Sequence, residues 1–222
     1  AFTGATYVVR YRKIGANSWT VVNSATNSYL LTNLLDYTTY EVQVLNVCSG
    51  TPSTNYTQSY IFITLPVKVY CTMGSQTPGP EFISNVEITP IGTGLTTMTS
   101  ASGSSSYSNY TADANRLITL YQASLNNKIS VSKGWQSTHY DEAIKVWIDF
   151  NRDGLFESTE VILNSPANQT TPIEGTFNVP TTAFLSMNDT KLLVMRVALS
   201  RDTTPVTCVD FVNGEVEDYA VK

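Results

Sequence analysis

The sequence predicts an all-β protein, and three observations carry that expectation. Threonine, serine and asparagine make up 70 of the 222 residues, an abundance that favours strands and turns over surface helices. Apolar residues recur with a period of two in short runs, and no 3.6-residue period competes. Hydrophobic residues are 42% of the chain and charged ones only 14%, against ~25% charged in an average soluble protein. The surface must therefore be wetted by hydroxyl and amide groups.

The first runs, taken in order, are Tyr7-Val8-Val9-Arg10-Tyr11-Arg12, Ser18-Trp19-Thr20-Val21-Val22, Thr39-Tyr40-Glu41-Val42-Gln43-Val44 and Tyr60-Ile61-Phe62-Ile63-Thr64, each set off by turn residues. Leu65-Pro66 then interrupts pairing, because proline brings no ladder donor. Residues 1–65 carry three basic and two acidic side chains, whereas residues 66–222 carry ten and sixteen. That shift sets a boundary near 66–69 and predicts domains 1–65 and 66–222. The second domain opens a loop-like stretch at 100–106 and continues with strands at 128–131, 143–150, 175–179 and 191–199. Ile144, Val146, Ile148 and Phe150 share one face, as do Leu193, Met195, Val197 and Leu199; both are patterns of sandwich-core strands.

The run Leu34-Leu35-Asp36-Tyr37-Thr38-Thr39-Tyr40-Glu41-Val42, with the strand-turn-strand of residues 7–22, resembles the fibronectin type III domain and its L-x-P-x-T-x-Y corner. The resemblance implies an Ig-like sandwich in which the Tyr40 hydroxyl returns to the backbone upstream, with Asp36 where that family usually has proline. The chain opens partway through that family's strand set, which implies a partial domain with its first strands missing. Cys48, at the end of a core strand, either has lost its partner with those strands or is a buried free thiol.

Thirteen basic residues stand against 18 acidic, net −5, which counts against nucleic acid as a partner, since a phosphate-binding face needs a basic surplus, and disfavours an anionic membrane. No run approaches the ~20 apolar residues of a spanning helix, and Ala1 opens without a signal-peptide pattern, as in a processed or excised piece. The cysteines, Cys48, Cys71 and Cys208, lack zinc spacing, and their odd number leaves a thiol without an internal partner. His139 is the single histidine. With it no two-histidine metal site can be built, and neither G-x-S-x-G nor a Walker loop occurs, so no enzyme is expected. His139 reads as a solvated loop residue. Asp141 and Glu142 are adjacent, would face opposite ways on a strand, and read as surface rather than as a glycosidase pair.

The sharpest local pattern is Asp149-Phe150-Asn151-Arg152-Asp153-Gly154-Leu155-Phe156-Glu157-Ser158-Thr159-Glu160, which fits D-x-[DN]-x-[DN]-G-x5-E at every specified position. Calcium takes 6 to 8 oxygen ligands, so Asp149, Asn151 and Asp153 would converge from alternate positions, the Leu155 carbonyl would join them and Glu160 would close the shell. A strand, not a helix, precedes the loop, so this is a calcium loop on a strand end and not an EF-hand. The alternative is a plain Asp-Asn-Gly turn.

The C-terminal run Cys208-Val209-Asp210-Phe211-Val212-Asn213-Gly214-Glu215-Val216-Glu217-Asp218-Tyr219, together with Ile148 to Gly154 and Tyr70-Cys71, resembles the GEVED domain over about residues 70–222. That family occurs in large secreted and cell-surface proteins of Bacteroidetes-type bacteria, often beside fibronectin type III domains in adhesins and in proteases or glycosidases. The resemblance implies a jelly-roll-like β-sandwich, a Cys71–Cys208 disulfide and an oxidising compartment. Alternation puts Glu215, Glu217 and Tyr219 on one face of the last strand and Val216, Asp218 and Ala220 on the other. Either Glu217 or Asp218 supplies a long-range ligand to the 149–160 loop, or they serve a salt bridge or turn; both readings stand open.

Trp135 and Tyr140, with Tyr107, Tyr110 and Tyr121, flank loop-like sequence and either stack on sugar faces or pack as ordinary core and rim. The expected function is a non-catalytic, calcium-stabilised adhesion or display module of a larger extracellular or cell-surface polypeptide, with a surface glycan or another protein as partner. The alternative is a carbohydrate-binding module attached to a secreted hydrolase.

Overall fold

The computed structural model describes residues 5–48, 50–65, 68–185 and 191–222, and the chain divides into two compact units, Ala1–Val67 and Lys68–Lys222. Apart from single-turn 3-10 helices at Ala114–Arg116 and Ser158–Glu160, every regular element described is a strand. None of the described helices is long and apolar enough to cross a membrane.

In the first unit β1 (Thr6–Lys13), β2 (Thr20–Ser24), β3 (Thr39–Cys48), β4 (Thr51–Pro52) and β5 (Tyr60–Ile63) form one sheet, ordered β2-β1-β3-β4 with β5 also paired to β3. Tyr40 stacks on Phe62 across the β3–β5 pair with ring centroids 5.9 Å apart. Its hydroxyl accepts the Leu35 amide at 3.0 Å, closing the corner back onto upstream backbone. On the other face Arg10 lies over Trp19 and Tyr56, and Arg12 over Trp19. Cys48 ends β3 as an exposed free thiol, so the buried-thiol alternative is corrected: it pairs with Thr51 of the short edge strand β4.

The second unit contains β6 (Ser75–Thr77), β7 (Glu81–Thr89), β8 (Met98–Ala101), β9 (Tyr107–Asn109), β10 (Asn127–Trp135), β11 (Glu142–Ile148), β12 (Val161–Asn168), β13 (Ile173–Phe177), β14 (Leu193–Arg201) and β15 (Phe211–Val221). A four-stranded sheet, β13-β10-β7-β8, packs on a six-stranded one, β12-β11-β14-β15-β6, with β9 also paired to β15. The inward series Ile144, Val146, Ile148 and Phe150 meets Leu193, Met195, Val197 and Leu199 in one core with Ile83, Val86, Ile129 and Val131 of the facing sheet. Fully burying each such side chain contributes about 1.5–3 kcal/mol. The outer face of the six-stranded sheet carries a second cluster, Met73, Trp147, Phe156, Val194, Ala198 and Val216. Cys71 and Cys208 are joined as a disulfide across 137 residues of sequence.

Candidate functional site

Three groups of polar side chains are built into the second unit. The first is the loop that leaves β11. Asp149 is fully buried, and its carboxylate accepts the Asp153 amide at 3.1 Å, the Gly154 amide at 2.9 Å and the Tyr70 hydroxyl at 2.8 Å. Asn151 Oδ1 accepts the Asp153 amide and Asp153 Oδ1 the Leu155 amide, each at 2.8 Å. These are successive Asx turns, each side-chain oxygen substituting for a backbone acceptor. Gly154, with φ near +90°, supplies the left-handed residue that the bend requires. Glu160 is buried and folds back, one oxygen on the Asn151 amide at 3.4 Å and the other on the Glu157 amide at 3.1 Å. Burial pushes its carboxyl above the usual range against the pull of those amides.

Asp149, Asn151, Asp153, Leu155 and Glu160 thus belong to one turn. Among the described residues, however, no three acidic, histidine or cysteine side chains converge where one metal ion would sit. The carboxylates of Asp149 and Glu160 are held by backbone amides and by the Tyr70 hydroxyl.

The second group is the motif on β15. Glu215 accepts the Ser105 hydroxyl at 2.7 Å and the Ile83 amide at 2.9 Å. Glu217 accepts the Ser102 hydroxyl at 2.7 Å and the Tyr219 hydroxyl at 2.6 Å. Asp218, on the opposite face, forms a two-pronged pair with Arg196 at 2.8 and 2.7 Å and accepts the Tyr107 hydroxyl at 2.8 Å. The oxygens of Glu217 and Asp218 are engaged by Ser102, Tyr219, Arg196 and Tyr107, Asp218 in a salt bridge. Burial raises Glu217 to about 7 and holds Glu215 above its ordinary value, while the donor hydroxyls act the other way. Tyr107 is pushed up to about 12 by burial and by the Asp218 carboxylate. Arg196, 1% exposed, also donates to the Cys71 carbonyl at 2.9 Å, tying the motif to the disulfide. Its position was legible, since it interrupts the outward series Val194, Arg196, Ala198 opposite Asp218.

The third group lies at one end of the sandwich. Trp135 and Tyr140 are both engaged within the protein. The Trp135 indole donates to Glu142 Oε1 at 2.7 Å and its ring stacks on His139 with centroids 4.3 Å apart. Arg201 lies 3.5 Å over the Tyr140 ring while pairing with Glu81 at 2.7 and 2.6 Å. Glu142 is fully buried. The surface reading of this residue is corrected, because Glu142 runs in phase with Ile144, Val146 and Ile148 on the inward face of β11. His139 is exposed.

Residues 143–222 match the GEVED domain family model, a span that includes the 149–160 loop and the motif and stops short of Cys71. No curated protein sequence matches the chain. Among solved structures it is similar to the crystal structure of chicken CNTN1 FN1-FN3 domains, at 10% identity and a TM-score of 0.30, over 99% of this chain and 57% of that one. This chain therefore spans little more than half the length of that structure.

Proposed function

We propose that this chain is a non-catalytic adhesion or display module of a larger extracellular or cell-surface polypeptide, a fibronectin type III-like unit followed by a GEVED sandwich. One observation carries the proposal. The three acids of Gly-Glu-Val-Glu-Asp each hold a different residue of the stretch that leaves β8 and enters β9: Glu215 holds Ser105, Glu217 holds Ser102 and Asp218 holds Tyr107, the first residue of β9. Buried carboxylates committed to fastening a crossover are scaffold, not general acids or bases facing a substrate. The Cys71–Cys208 crosslink supports an oxidising compartment, and the Tyr40 corner supports the first unit's assignment. Asp149, Asn151, Asp153, the Leu155 carbonyl and Glu160 are the groups that would hold calcium in this loop, and the ion would stabilise the turn.

Two assays on the full chain test this. A panel of glycoside, ester and peptide substrates is expected to show no turnover, and turnover abolished by Glu217→Gln would refute the proposal. An array of glycans and immobilised surface proteins identifies the partner. A defined sugar whose binding is lost on Trp135→Ala would instead make the chain a carbohydrate-binding module.

A further inference from the structure

Away from the loop and the motif, three residues of complementary chemistry come together in the second unit: Lys133 on β10, Glu142 on β11 and Asn168, half-buried, on β12. Lys133 is 4% exposed and Glu142 0%. Lys133 Nζ donates to the Glu142 carbonyl at 2.7 Å and the Asn168 carbonyl at 2.5 Å, and reaches Asn168 Oδ1 at 3.3 Å. The carboxamide carbon lies one C=O bond, about 1.2 Å, from that oxygen. The carboxamide is held from its other end, where Nδ2 donates to Ser165 Oγ at 3.0 Å and to the Pro166 carbonyl at 2.6 Å. Glu142 and Asn168 are direct partners in the β11–β12 ladder, so their side chains share a face. Trp135 fixes one oxygen of Glu142, and the other, Oε2, is buried with no hydrogen-bond partner among the described residues.

An ammonium and a carboxylate in such a place both lose hydration. Burial holds the Lys133 amine below the ordinary lysine value and pushes the Glu142 carboxyl up. Both shifts favour the neutral forms, an amine with a free lone pair and a protonated acid.

We propose that Lys133 and Asn168 become joined by an intramolecular isopeptide bond, with Glu142 carrying the proton. The lone pair of the neutral Nζ adds to Cγ of Asn168. The Glu142 carboxyl protonates the carboxamide and takes a proton from Nζ; the Cγ–Nδ2 bond breaks and ammonia leaves. A primary amide and an amine become a secondary amide and ammonia, Glu142 ends protonated as it began, and nothing is oxidised or reduced. The Lys133 amine is buried and Asn168 half-buried, and the hydrogen bond between them replaces a collision with a held contact. The product bridges the four-stranded sheet to the six-stranded one. This inference stands independently of the adhesion proposal.

Intact-mass spectrometry of the reduced and alkylated full chain tests it. The wild-type protein should weigh one ammonia less than its residues sum to, and digestion should yield a branched peptide joining positions 133 and 168 that reductant does not cleave. Asn168→Ala, Lys133→Arg and Glu142→Gln should each return to the full mass of their own sequences. Should Glu142→Gln fail to fold, the wild-type mass and Asn168→Ala decide. A folded wild-type chain that keeps its full mass after prolonged incubation overturns the proposal. So does an ammonia loss that persists in Asn168→Ala, as succinimide formation at Asn213-Gly214 would give.

Discussion

Replacing Glu217 by glutamine is expected to change how the stability of the second unit depends on pH. In the folded protein Glu217 sits at about 7, against 4.5 without its surroundings. Burial between the sheets raises it and Glu215 adds repulsion, while the Tyr219 and Ser102 hydroxyls and Arg116 oppose the rise. Between those two values the folded chain holds a proton that the unfolded chain has released. Stability therefore falls as pH rises from 4.5 toward 7 and levels off above it. The difference corresponds to on the order of 3 kcal/mol. Glutamine never ionises, so this component vanishes in the variant. Its lost acceptor oxygen costs about 1–3 kcal/mol, but equally at every pH. The assay is urea unfolding from about pH 4.5 to about pH 8, followed by the fluorescence of Trp135 and Trp147 in a Trp19→Phe background. The stability of Glu217→Gln relative to its parent should improve steadily across that window. A constant offset at every pH would show that Glu217 is not the buried, protonated group its surroundings require.

Four further outcomes follow from the same geometry. Arg196→Leu should cost about 3–5 kcal/mol, because Asp218 is left buried and unpaired; a double replacement with Asp218→Leu should recover much of the loss, and a cost below about 1 kcal/mol would contradict the pair's burial. Reducing Cys71–Cys208 should lower the stability of the second unit by up to about 5 kcal/mol for so long a loop, visible as a drop in its melting temperature with the first unit unchanged. Millimolar calcium should raise that melting temperature over EDTA, an effect lost in Asp153→Ala; identical melts would establish the loop as a plain turn. Tyr40→Phe should destabilise the first unit by about 1 kcal/mol through the unpaired Leu35 amide, readable by hydrogen exchange at residues 34–40.

Where a residue's side of a strand decides its fate, the sequence was legible. The period-two series of 144–150 and 193–199 became the core, and the alternation along β15 separated Glu217 from Asp218 as written. What was not legible was the partner across a long stretch of chain. The segment 100–106 reads as a loop because it lacks apolar residues. Yet its serines are there as donors, and Ser102 and Ser105 serve carboxylates 115 and 110 residues away. The loop pattern at 149–160 was legible as a sequence, but the backbone amides and the Tyr70 hydroxyl that hold Asp149 and Glu160 were not, because spacing does not express them. Glu142 and Lys133 show a third case, in which the signal was present and a general expectation overrode it. Charged residues are rarely buried, so an acid beside another acid reads as surface. But Glu142 keeps the phase of Ile144 and Val146, and Lys133 keeps that of Ile129 and Val131. A charge in phase with an inward apolar series has no exit to water except by breaking the strand, so it must find a partner between the sheets. An acid and an amine so placed are each driven toward the neutral form by the hydration they lose.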